Sequence, residues 1–106
     1  SDLQDLTVSN LMPKAMALVT VSGGTPSLTY AVNVSSVTDI GAGTVRVNWD
    51  RNFSDTNYVV AVIVTGNDHA DYITQQVDSI DIETRETTVG TLTDNVSFHI
   101  IAFGDN

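Results

Sequence analysis

The segment Asn67-Asp68-His69-Ala70-Asp71-Tyr72 places an amide, two carboxylates, an imidazole and an aromatic ring within one stretch of chain. Three kinds of chemistry suit that set. Oxygen-rich loops hold Ca²⁺ or Mg²⁺, but the spacing is not that of an EF-hand and no second ligand cluster accompanies it, so no metal is assigned. A sugar could lie on the flat apolar face of Tyr72 while Asn67, Asp68, His69 and Asp71 bond its hydroxyls. The plain alternative is a solvated acidic turn, since Asp78, Asp81 and Glu83 continue the acid excess and no basic residue stands between Gly66 and Glu83.

Catalysis finds less support. A nucleophile needs a neighbouring base in a cleft, and acid–base work needs paired groups with tuned environments. His99 stands between Phe98 and Ile100 in an apolar run, which reads as a packed or interface histidine. None of the serines has the flanking glycines of a nucleophile elbow. Gly23-Gly24 and Gly41-Ala42-Gly43 lead into no helix and read as turns, not phosphate cradles. Asn-x-Ser triplets begin at Asn33, Asn52 and Asn95, a coincidence expected of an Asn- and Ser-rich chain, and the first lies inside a strand candidate. The chain is read as a non-enzyme without a cofactor.

The elements that must position these groups follow from composition. A chain of 106 residues, 42% hydrophobic and 16% charged, suits one ordered domain with one core. Its net charge of −9 repels polyanions, so nucleic acid is not an expected partner, and neutral sugars or proteins are easier targets. Without cysteine there is no disulfide, thiolate nucleophile or cysteine zinc site. The longest apolar run, Val59 to Val64, is too short to cross a bilayer, and no membrane insertion is expected. The opening residue is Ser1 and not Met, which reads as a piece of a longer polypeptide.

Val and Thr dominate, which favours strands over helices. Strand candidates are Lys14 to Val21, Ser27 to Val37, Thr44 to Trp49, Tyr58 to Thr65, Val77 to Ile82, Glu86 to Val89 and Val96 to Phe103, separated by turns rich in Gly, Pro, Asn and Asp. The spacing argues for an all-β, antiparallel β-sandwich, jelly-roll-like, over residues 14–106. Residues 1–13 form a linker or short helical lead-in, with Leu3 and Leu6 three apart. Thr44 to Trp49 alternates, with Val45, Val47 and Trp49 on the core face. Tyr58 to Thr65 and Phe98 to Phe103 are apolar on both faces. In a domain this small, another subunit is the expected cover in preference to a thick monomeric sandwich, so the patterning points to an oligomer.

Several motifs in order resemble the C-terminal domain of bacteriophage tail fibres and tail spikes. They are Lys14-Ala15, the run Asn33-Val34-Ser35-Ser36-Val37-Thr38-Asp39, Gly41-Ala42-Gly43, Val47-Asn48-Trp49, Asn57-Tyr58 and Ala102-Phe103-Gly104. Met16 and Trp49 stand where the family often has Trp and Phe, and Gly66 to Gly90 matches no part of its pattern. The resemblance implies a homotrimer at the distal end of a virion's tail fibre or spike. It also implies an upstream fibre or spike domain, where any depolymerase activity would reside. The expected target is a bacterial surface polysaccharide or outer-membrane protein. Recognition is then expected in the unmatched stretch, and Asn67, Asp68, His69, Asp71 and Tyr72 are its candidate receptor-contact residues.

Overall fold

A computed structural model of the chain describes residues 13–64, 68–85 and 96–105. Two strand candidates or lead-ins lie largely or wholly outside these residues, namely the segment 1–13 except Pro13, and Glu86 to Val89. Among the described residues there is no helix. Eight strands follow one another: β1 (Ala15–Ser22), β2 (Thr25–Val32), β3 (Val34–Gly41), β4 (Thr44–Trp49), β5 (Val59–Val64), β6 (His69–Gln75), β7 (Ser79–Arg85) and β8 (Phe98–Phe103). They form two four-stranded sheets, β2-β1-β8-β5 and β3-β4-β7-β6, with every pairing antiparallel. The expected antiparallel β-sandwich is the observed fold. Three pairings join chain neighbours, and three (β1–β8, β4–β7, β5–β8) close long loops.

The period of two decides which side chains meet. Ala15, Ala17, Val19 and Val21 of β1 point inward, as do Phe98, Ile100 and Ala102 of β8. Opposite them stand Val45, Val47 and Trp49 of β4 with Ile80 and Ile82 of β7. Val60, Val62 and Val64 pack against this core from the β5 edge. Trp49 lies inside, as its alternation implies.

The single strand expected over Ser27 to Val37 is broken in two at Asn33, whose φ of 55° is left-handed. Asn is among the few residues that adopt this conformation readily. Its side chain is clamped as well, accepting from the Arg51 amide (2.6 Å) and donating to the Arg51 carbonyl (3.2 Å). Its own carbonyl accepts from Asp50 N (3.0 Å). The chain leaves the first sheet on β2 and enters the second on β3 at this point. The turn expected over Asp39 to Gly43 is also shorter, because β3 continues to Gly41 with a register shift near its end.

Both strands read as apolar on two faces alternate in space. Val59, Ala61 and Ile63 of β5 point out of the sandwich, and so do His99, Ile101 and Phe103 of β8. The outer face of the second sheet is polar by contrast. There Thr38, Arg46 and Asp81 stand in one cross-strand row, and Thr44, Glu83 and Asp71 in another. The sandwich therefore presents two chemically different outer surfaces.

Candidate receptor-contact site

The stretch expected to be a binding loop is mostly a strand. Asp68 precedes β6, and His69, Asp71 and Tyr72 lie within it, at the edge of the second sheet; Asn67 falls outside the described residues. The loop expectation is corrected for a physical reason. Gly, Asn and Asp near a chain reversal suggest a turn, but β6 is held by backbone pairing to β7 in the register His69–Arg85, Asp71–Glu83 and Tyr72–Ile82.

Strand geometry then separates residues that a loop could have gathered. His69 and Asp71 share the outer face of the sheet, whereas Ala70 and Tyr72 occupy the alternate positions. Ala70 packs against the core. Tyr72 keeps about half its surface at 52% exposure, because among the described residues no strand pairs beyond β6. A register shift between Tyr72 and Thr74 inserts Ile73 as an unpaired residue, and such bulges re-aim side chains at sheet edges. The site is thus a strip of polar groups, His69 and Asp71, with an exposed ring on the other side of the same strand.

Charges around the strip are largely paired. Arg85 bonds Glu83, the residue opposite Asp71. In the next outward row, Arg46 makes a two-pronged contact with Asp81, Nε to Oδ1 at 2.8 Å and Nη2 to Oδ2 at 3.2 Å. Hydrogen bonding and the charge of Asp81 raise the Arg46 guanidinium above its ordinary value. Among the described residues, no three His, Asp or Glu side chains are placed to share a metal ion. What the strip offers is the hydrogen-bonding groups of His69 and Asp71, a chemistry suited to hydroxylated ligands.

A second polar feature was not legible in the sequence. Ser54, Asp55, Asn57, Tyr58, Gly104 and Asp105 line an open cleft of about 200 Å³. Asp55 accepts from the Asn57 amide (2.8 Å), and the Asp105 carbonyl accepts from Ser54 N (2.7 Å). The Asn52-to-Asn57 stretch reads only as a turn, and no local pattern ties it to residues some fifty positions later. Gln75, at the far end of β6, donates to the Thr56 and Tyr58 carbonyls (2.9 and 2.6 Å), so cleft and strip lie toward opposite ends of β6.

Beneath the cleft, Trp49, Phe53 and Tyr58 form one aromatic cluster. Phe53 and Tyr58 stack at 4.0 Å, and Trp49 meets each edge-on at 5.4 and 5.8 Å. Trp49 Nε1 donates to the Tyr58 hydroxyl (3.2 Å), which donates to the Gln76 carbonyl (2.5 Å) with the Ser79 carbonyl at 3.1 Å. Burial pushes the Tyr58 phenol above 10.0, and the charge of Asp78 adds to the rise. The folded state therefore holds this proton more tightly than the unfolded chain does. Its contribution to stability is complete below about pH 10 and is lost as pH rises through the folded-state value. Urea midpoints measured from pH 8 upward are expected to fall once pH passes 10. In Tyr58→Phe, which has no proton to lose there, the midpoint is lower at pH 8 but falls less steeply.

No protein-family model matches the chain, and neither the curated proteins nor the solved structures contain a match to it.

Proposed function

We propose that this chain is the tip domain of a bacteriophage tail fibre or tail spike, a non-catalytic homotrimer that attaches the distal end of the virion to a bacterial surface polysaccharide or outer-membrane protein. One observation carries the reading. Several of the motifs that resemble the family, from Asn33 to Gly104, occupy positions on which the fold depends. Asn33 makes the left-handed crossing between sheets. Trp49 and Tyr58 build the aromatic cluster, and Gly104 closes against Tyr58 and Phe53. A shared framework of this kind is what a receptor-binding family retains while its contact surface varies. Each contact on the β6 strip would be weak, and three copies per fibre would raise avidity without any new contact.

The placement of these motifs in the framework also favours a second reading, in which the domain only registers and caps three chains while binding lies in another domain of the fibre. Fluorescently labelled chain, incubated with a panel of bacterial strains and their polysaccharide and outer-membrane-protein mutants, separates the two. Attachment to at least one strain is expected, with loss on the mutant lacking the receptor. Substituting His69, Asp71 and Tyr72 together by Ala is expected to weaken that attachment about tenfold, roughly 1.4 kcal/mol. Attachment to no strain would favour the capping role. Full attachment by the triple variant would move the contact away from β6.

A further inference from the structure

We propose that copies of this chain associate through the outer face of the first sheet, three sheets closing around one axis; this rests on the trimer proposed above and assigns its surface. Cross-strand register arranges that face in rows. Val32, Met16, Ile101 and Ala61 stand side by side across β2, β1, β8 and β5. Tyr30, Leu18, His99 and Ile63 form the next row, and Phe103 faces Val59 in a third. Val59, Tyr30 and Ile63 are 66%, 55% and 52% exposed. Between the two complete rows lies an apolar depression of about 140 Å³, with Met16, Leu18, Tyr30, His99 and Ile101 in its lining.

Charge identifies the occupant as a second copy. β1, β2, β5 and β8 contain no Asp, Glu, Lys or Arg, in a chain of net charge −9. The described carboxylates, Asp39, Asp71, Asp81 and Glu83 among them, lie on the second sheet, in the segments that join strands or, for Asp105, two residues past the end of β8. Two like-charged chains that meet through the first sheet bring no strand carboxylate against another, whereas contact through the second sheet would.

Three copies fit the dimensions of the face. Four strands about 4.8 Å apart make a face about 19 Å wide. Three such faces closed as a triangular prism stand about 5.5 Å from the axis, near half the ~10 Å spacing that side chains fill between packed sheets. With six-residue strands in β5 and β8, each face has a footprint of roughly 400 Å². In a trimer each chain then buries its own roughly 400 Å² of this face, about 1,200 Å² in all.

Light scattering of the chain and three variants tests the assignment. The chain is expected at about three times its 11.3 kDa mass. Ile63→Glu and Tyr30→Glu, placed on exposed positions of two different strands, are expected at the single-chain mass, with unchanged emission from the buried Trp49. Ile73→Glu, 50% exposed on β6 in the other sheet, is expected to remain trimeric. A trimer that survives both face substitutions would overturn this surface and leave the trimer standing. A monomeric or dimeric parent chain would overturn the trimer and this inference together. The chain contains no cysteine, so alkylation gives a second readout that leaves the face intact. Ile63→Cys is expected to react at least tenfold more slowly than Ile73→Cys, and equal rates in a trimeric sample would reject the assignment.

Discussion

Replacing Trp49 with alanine is expected to cost about 3–5 kcal/mol, the range for deleting a buried aromatic side chain. Three effects combine at this position. The side chain is buried at the end of β4, and its removal opens a cavity between the sheets. Both edge-on ring contacts, to Phe53 and Tyr58, disappear, each worth about 0.5–1.5 kcal/mol beyond area. The Tyr58 hydroxyl also loses the donor that satisfies it from Nε1. A domain of this size has about 5–15 kcal/mol in total. The variant should therefore be marginal, with its urea midpoint lowered by roughly 2–3 M. Circular dichroism at matched protein concentration reads the change, because the substitution removes the chain's single tryptophan. Trp49→Phe keeps an aromatic ring and loses the N–H, so it should fall between the parent and alanine. A midpoint within 0.5 M of the parent for Trp49→Ala would mean that the cluster does not hold the two sheets together.

The sandwich was legible because its strongest signal is local. Alternation over Thr44 to Trp49 requires one wet face and one dry face, and β4 has both. The break at Asn33 was not legible, since Tyr30-Ala31-Val32 and Val34 on either side have the composition of one continuous strand. A left-handed residue in the middle of such a run is held there by partners at Asp50 and Arg51, and those partners are distant in sequence. β6 escaped notice for the opposite reason. Its polar residues suggest a turn, while the backbone ladder to β7 and the Ala70 contact with the core make it a strand. Edge strands tolerate this composition because one of their sides faces water.

The candidate site suffered from the same blindness to long-range pairing. Grouping Asp68, His69, Asp71 and Tyr72 by proximity in sequence assumes that neighbours in a loop converge. On a strand they alternate, and only His69 and Asp71 share a face. In contrast, the doubly apolar character of Tyr58 to Thr65 and Phe98 to Phe103 was a correct statement about both faces. One face supplies the core, and the other supplies the uncharged rows of the first sheet. Composition thus showed that both faces of these strands are apolar, while register determined which residues stand together on each.

Register of a different kind governs the chain's last turn, where Gly104→Ala is expected to destabilise the domain by about 1–3 kcal/mol, as overpacking of a filled site does. A Cβ built at Gly104 falls 2.7 Å from Tyr58 Cβ, 3.2 Å from Tyr58 Cα and 3.3 Å from a Phe53 ring carbon. None of these atoms can swing aside, since Tyr58 is fixed by its stack on Phe53 and by hydrogen bonds to Trp49 and Gln76. The only relief is to lift the closing segment, which strains the bond from Ser54 N to the Asp105 carbonyl. Gly41→Ala is the matched control, because a Cβ there meets nothing within 4 Å, and its effect should stay within about 0.5 kcal/mol. Urea denaturation followed by Trp49 emission compares the two. If both substitutions prove equally mild, the end of the chain does not dock on the 53–58 loop, and the closing Phe-Gly motif needs another explanation. If Gly104→Ala alone is costly, the glycine is explained by close packing beneath the cleft, and the motif then speaks for the framework and not for what the domain binds.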